Sequence, residues 1–440
     1  MTSSFAALGV PAALVTALTA MERTEPFPIQ RDTLPDSLAG RDVLGRGRTG
    51  SGKTLAFAIP LVARLAGGGR HGVRGLVLAP TRELATQITA TVEPLATAAG
   101  LRVTTIFGGV SQIRQVAALR AGADIVVACP GRLEDLMGQG LVRLDRVEVT
   151  VLDEADHMAD LGFLPGVTRI LNATPRGAQR LLFSATLDNG VDRIVDRFLS
   201  DPVLHAVDEA VAPVPAMTHH VFEVEDAEKE ALVRALASGI GRRVLFMRTK
   251  HQAKRLAKRL TEAGIPAVDL HGNLSQAARD RNLAAFGGGD VRVLVATDVA
   301  ARGVHVDDVE LVVHVDPPAE HKAYLHRSGR TARAGKEGAV VTVVLPAQRG
   351  ETAQLLKRAG IRVAPQRVSA SSDAVTRIVG EVAPHVAPAP AQPARQAQPA
   401  RQAQPARQAQ PTTRQAQPRR GGAAGQQQGS GPAEGRRQGE

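Results

Sequence analysis

Tryptophan is absent from the 440-residue chain, tyrosine occurs once and phenylalanine ten times. With so few rings, bases stacked over an aromatic platform are not the expected mode of binding, and a nucleic acid would have to be held by its backbone. Cys129 is the only cysteine, which excludes a disulfide framework and a cysteine zinc site. No apolar run is long enough to span a bilayer, and Met1 to Ala20 lacks the basic start and cleavage site of a signal peptide. A cytoplasmic protein away from membranes is the simplest reading. Charge is not scarce: 54 Lys and Arg face 43 Asp and Glu, for a net of +11. Residues 391–440 hold eight arginines (395, 401, 407, 414, 419, 420, 436, 437) against Glu434 and Glu440, so six of the eleven net charges lie there. Such a balance favours a polyanionic partner, usually nucleic acid. Codon bias explains arginine excess equally well, so charge alone leaves the point open.

Glycine, by contrast, is placed with purpose. Gly47-Arg48-Thr49-Gly50-Ser51-Gly52-Lys53-Thr54 fits a P-loop, in which glycines let the backbone curl until successive N–H groups face phosphate oxygens. Lys53 then reaches the outer phosphates and the Thr54 hydroxyl is suited to Mg²⁺. A glycine-rich surface turn is the bland alternative. The context favours the phosphate loop, because Arg41 to Leu44 reads as a strand and Leu55 to Leu65 as an apolar helix.

The alternation continues along the chain. Strands are expected at 75–79, 103–107, 124–128, 147–152 and 180–183, each running into a polar loop: Pro80 to Ala85, Gly108-Gly109, Pro130-Gly131-Arg132, Asp153-Glu154-Ala155-Asp156 and Ser184-Ala185-Thr186. Repeated strand, loop and helix means a parallel α/β sheet that binds ligands at its carboxyl edge. Pro26-Phe27-Pro28 is expected to hold the backbone extended through Gln30. The Gln30 amide matches the N6/N7 edge of adenine, although alone it reads better as a surface residue. Residues 202–217 read as a linker, and a second α/β unit has strands expected at 220–224, 244–247, 267–270, 291–296, 311–315 and 339–344. The boundaries are a first domain 1–205, a linker 206–217, a second domain 218–366 and a low-complexity Gln/Pro/Arg-rich segment 367–440. From 391 that segment repeats Ala-Gln-Pro-Ala-Arg-Gln. It reads as a disordered basic tail that adds nonspecific RNA affinity or merely solvates the protein.

The acidic quartet after the 147–152 strand supplies what a nucleotide site needs. Asp153 is placed to hold Mg²⁺ through water, and Glu154 to orient the attacking water. At this point the chain resembles the DEAD-box RNA helicases of bacterial type. Phe5, Gln30, the P-loop, Pro80–Ala85, Gly108-Gly109, Pro130–Arg132, Asp153–Asp156 and Ser184–Thr186 follow that family's order. So do Gln276-x-x-Arg279, Thr297-Asp298-Val299-Ala300-Ala301-Arg302-Gly303 and His326-Arg327-Ser328-Gly329-Arg330-Thr331-Ala332-Arg333, and the likeness covers about residues 5–365.

The resemblance implies two RecA-like domains with ATP and Mg²⁺ between them and single-stranded RNA across both. It assigns ATP binding to Gln30 and residues 48–54, metal binding to Thr54 and Asp153, and catalysis to Lys53, Asp153 and Glu154 with Arg330 and Arg333 as arginine fingers. RNA contacts fall on Arg82, Gly108, Gly109, Gly131, Arg132, Arg279, Thr297 and Arg302, and coupling on Ser184, Thr186, Asp298 and His326. Backbone amides, hydroxyls and arginines position a strand without reading its sequence. The expectation is a monomeric RNA-dependent ATPase that opens short duplexes or remodels RNA–protein complexes. Ribosome assembly, RNA decay and cold adaptation remain open as settings. Four residues depart from the family pattern: Arg23, Gly47, Cys129 for a threonine, and His305 for an acid. His305, Cys129 and the basic tail leave room for a slow ATP-gated RNA clamp, while a DNA-translocating helicase and a small-molecule P-loop kinase fit the motifs less well.

Overall fold

The computed structural model describes residues 4–47, 51–69, 72–188, 190–206, 217–298, 308–332 and 337–387. Short β-rich runs form strands buried on both faces. In Gly75–Leu78, Leu76 and Leu78 enter one core while Val77 enters the other, as alternation of Cβ across a pleated strand requires. The same two-sided pattern recurs at Val293 and Val295 against Leu294 and Ala296.

The first lobe runs α1 (Ala12–Ala20), α2 (Pro28–Leu38), β1 (Val43–Arg46), α3 (Lys53–Leu65), β2 (Gly75–Leu78), α4 (Arg82–Ala98), β3 (Val103–Ile106), α5 (Gln112–Arg120), β4 (Ile125–Ala128), α6 (Pro130–Gly138), β5 (Val149–Asp153), α7 (Ala155–Asp160), α8 (Leu164–Asn172), β6 (Gln179–Ser184), α9 (Val191–Phe198) and β7 (Val203–Ala206). The second continues with β8 (Met217–Glu223), α10 (Asp226–Ala237), β9 (Arg242–Phe246), α11 (Lys250–Glu262), β10 (Ala267–Leu270), α12 (Gln276–Gly288), β11 (Val293–Ala296) and β12 (Val309–His314). It closes with α13 (His321–Ser328), β13 (Gly338–Val344), α14 (Arg349–Arg358), β14 (Pro365–Arg367) and α15 (Asp373–Val379).

Each lobe is a parallel seven-stranded sheet, ordered β3-β4-β2-β5-β6-β1-β7 and β10-β11-β9-β12-β13-β8-β14. Counted from its own first strand, the second order is the first repeated, so one topology is used twice. The repetition explains two corrections. The segment read as linker from 202 contains β7, and the segment read as tail from 367 begins with the last residue of β14; each is the seventh, edge strand of its sheet. Beyond β14, Val375 and Val379 of α15 enter the second core. The chain then straps across that lobe, with Ile240 N donating to Glu381 O at 2.9 Å and Val386 N to Gly264 O at 3.0 Å. The second lobe therefore extends to 387, while linker residues 207–216 and the repeat from 391 lie outside the described residues. A third correction concerns Pro28: α2 begins there, because proline at the first helical position gives up an N–H that would have no helical partner.

Candidate active site and nucleic-acid interface

The loop after β1 meets the start of α2. Gly52 adopts φ +92°, and a Cβ there would lie 2.6 Å from Gln30 Nε2, so glycine is required both by conformation and by space. Gln30 is buried, not on the surface. Its Oε1 accepts from Phe27 N and its Nε2 donates to Gly52 O, both at 2.9 Å, tying the start of α2 to the loop. Lys53 is also buried and donates to Gly47 O at 2.9 Å. The Ser51 hydroxyl is buried without a partner among the described residues. Arg48, Thr49 and Gly50 lie outside them.

The sheet brings the end of β5 beside this loop. Burial pushes the Asp153 carboxyl up to about 7, with Lys53 opposing and Glu154 reinforcing the rise; Asp153 Oδ1 accepts from Glu154 N at 3.0 Å. Burial also acts to raise Glu154. The His157 ring at 3.2 Å, Lys53 and Arg330 outweigh it and hold Glu154 down at about 2. Glu154 has φ +50° and ψ +53°, left-handed backbone that a non-glycine residue adopts at a cost of roughly 1–3 kcal/mol. Burial thus raises one acid while its neighbour is held down.

The loop after β6 closes onto this acidic turn. Asp156 N donates to Ser184 Oγ at 3.2 Å, and Asp156 Oδ2 accepts from Thr186 N at 3.2 Å and Thr186 Oγ1 at 3.3 Å. Thr186 Oγ1 also lies 2.6 Å from Asp188 Oδ1, and Asp188 pairs with Lys322 of the second lobe.

From that lobe, α13 and the turn after it bring Arg330 near enough to Glu154 for its charge to help depress the carboxyl. Arg330 Nε donates to His326 O at 3.3 Å. Arg327 grips Asp298 through both nitrogens of its fork, at 2.5 and 2.8 Å, donates to Asp316 O and lies over the Phe246 ring. Arg333 and Arg302 lie outside the described residues.

The residues assigned to RNA form a second group along the carboxyl edges. Arg82 lies against Gly109, where a Cβ would come 2.1 Å from its Nη1, and donates to Gln276 Oε1 of the second lobe at 3.1 Å. Gly108 adjoins it, and a Cβ on Gly131 would meet open space. Arg132 donates to Val110 O at 3.2 Å. Thr297 N donates to Leu270 O at 3.1 Å at the end of the second sheet. Arg279 is buried, with its Nε on Glu83 Oε1 at 2.6 Å. Glu83, Asp188, Lys322 and Arg327 were not singled out from sequence. Glu83 and Arg327 sit inside motifs that were.

The model of the DEAD/DEAH box helicase matches residues 27–194, and that of the helicase conserved C-terminal domain matches residues 227–335. The DEAD-box ATP-dependent RNA helicase CshA of Geobacillus kaustophilus is 39% identical over 351 residues, 79% of this chain and 75% of that protein. This chain belongs to the DEAD-box family of ATP-dependent RNA helicases. Among solved structures, this DEAD-box chain is similar to S. cerevisiae Dbp5 bound to RNA and ADP BeF3. The TM-score is 0.74 at 28% identity, over 86% of this chain and 100% of that one. Mss116p bound to ssRNA and AMP-PNP gives 0.73 at 27% identity, over 86% and 82%. These likenesses establish the tandem RecA-like fold. Among the described residues no helix is long and apolar enough to cross a membrane.

Proposed function

We propose that this chain is an RNA-dependent ATPase that opens short RNA duplexes, or remodels RNA–protein complexes, by closing its two lobes on single-stranded RNA. The observation that carries the reading is the buried ion pair between the lobes, Arg279 Nε on Glu83 Oε1 at 2.6 Å, with Arg330 of the second lobe among the charges that lower the Glu154 carboxyl of the first. A site whose acid and facing cation come from different lobes is complete only when the lobes meet, which couples hydrolysis to the grip on a strand lying across both.

The chemistry follows from the residues. Lys53 exchanges Gly47 O for a terminal phosphate oxygen, and Ser51, whose hydroxyl has no partner among the described residues, faces the same loop. Glu154, ionised near neutral pH, orients the attacking water and accepts its proton. Arg330 stabilises the charge that develops on the transferring phosphoryl oxygens, with Arg333 expected beside it. Gln30 would select adenine by releasing one of its two internal hydrogen bonds. Thr54 and Asp153 fit Mg²⁺. A buried carboxyl held near 7 by desolvation gains most from a cation, and among the described residues no all-protein metal cage competes. When bound, Mg²⁺ would neutralise phosphate charge. Arg82, Gly108, Gly109, Gly131, Arg132 and Thr297 would hold the strand by phosphate and sugar, giving RNA binding without sequence preference, while Arg279, buried against Glu83, would serve lobe closure instead.

Both RNA-bound likenesses span the two lobes, which supports a closed arrangement as the working state. The test is displacement of a strand from a short RNA duplex. The reading expects displacement with ATP, and none without nucleotide. Equal action on DNA duplexes would contradict it.

A further inference from the structure

Beyond the family motifs, one ion pair joins the lobes next to the reacting groups. Lys322 lies in the first turn of α13, where the helix dipole disfavours a cation, so helix stability does not explain a lysine there. Its ammonium instead meets the Asp188 carboxylate across the interface. Asp188 in turn accepts from Thr186 Oγ1 at 2.6 Å, and Thr186 holds Asp156 through its N–H and its hydroxyl. The bland reading of Asp188 is an acid just ahead of α9. That reading accounts for its carboxylate but not for the lysine facing it from the other lobe. Two turns after Lys322, α13 ends and the chain presents Arg330.

We infer that Asp188 and Lys322 are positioning residues. They latch the amino end of α13 onto the loop after β6, so that Arg330 faces Glu154 when the latch is made. The pair connects the acidic motif, through Thr186, to the helix that carries the finger. Asp188 is 48% exposed and Lys322 22% exposed, so the latch is weak, reversible and sensitive to salt, as a device made and broken in each cycle needs to be. The inference rests on the proposed ATPase reading for its consequence, but not for its geometry.

The test is a charge-swap cycle of Asp188→Lys, Lys322→Asp and the double variant, with Asp188→Asn as a variant that introduces no charge clash. RNA-stimulated ATPase is measured at low and high salt. Each single variant is expected to lower kcat by about five-fold at low salt, with little change in KM for ATP, and the double variant to recover most of the loss. High salt should bring the wild type toward the single variants. Lobe separation is read independently of turnover, with single-stranded RNA and a non-hydrolysable ATP analogue bound, by energy transfer between dyes at Glu93→Cys and Glu262→Cys. The single variants should open the lobes and the swap should close them again. Additive losses in the double variant, or single variants that leave kcat and lobe separation unchanged, would overturn the latch. A wild type without RNA-stimulated ATPase would overturn the proposed function instead, and the energy-transfer cycle would still decide the latch.

Discussion

Arg279 of the second lobe donates through Nε to Glu83 of the first at 2.6 Å, and both side chains are almost entirely buried. Gln276 Nε2 approaches the same carboxylate oxygen at 3.3 Å, so one acid of the first lobe collects two donors from α12. Parting the lobes would return both charges to water. When they meet, each needs the other, because a buried charge without its partner is strongly disfavoured.

Glu83→Gln or Arg279→Gln should therefore act on closure more than on folding. Affinity for single-stranded RNA with a non-hydrolysable ATP analogue is expected to fall about 100-fold, equivalent to about 3 kcal/mol. Melting of the lobes should change little. Fluorescence anisotropy with labelled RNA measures the first and calorimetry the second. A Leu–Leu replacement of the pair should be milder than either single change, since it leaves no charge unpaired.

Arg330→Ala should lower the RNA-stimulated kcat by about 10³-fold while leaving the Kd for ATP nearly unchanged, as expected of a group that meets charge arising in the transition state. Arg330→Lys should not restore the rate, because a point charge lacks the planar fork. Single-turnover hydrolysis and equilibrium nucleotide binding separate the two effects.

Cys129 offers a test of the local electrostatics. Burial, reinforced by Glu83, pushes its thiol from 9.0 up to about 12, with Arg82 opposing. Only the thiolate reacts, so alkylation by iodoacetamide at pH 8 should be about a thousand-fold slower than for a free thiol, and ordinary in denaturant. As the only cysteine, it gives an unambiguous mass shift. The sign for stability follows: the contribution of the raised value is complete below the ordinary thiol range and is lost as pH rises through about 12.

The loops at the carboxyl edges were legible because each follows a short, largely apolar run. Such runs mark buried parallel strands, and the loops after them mark the binding edge. The strand 267–270 was placed with the bounds it has in the structure. The edge strands β7 and β14 were missed for a matching reason. Val203–Ala206 alternates between half-buried and exposed positions, and Pro365–Arg367 is exposed throughout, so neither shows a buried run. Taken alone, Gln30 reads as a surface residue, because the contact that buries it is to Gly52, 22 residues away in sequence. Ion pairs between lobes leave even less trace. Asp188 and Lys322 stand 134 residues apart, and nothing local to either residue names its partner.

Coupling of hydrolysis to RNA is decided by steady-state ATP hydrolysis with and without single-stranded RNA, comparing the wild type with Glu154→Gln. If Glu154 orients and deprotonates water as proposed, loss of its ionised carboxylate should lower the RNA-stimulated rate by about 100-fold or more. ATP-dependent RNA binding should persist in the variant. A wild type whose hydrolysis is indifferent to RNA, or a variant that still turns over at the wild-type rate, would contradict the account.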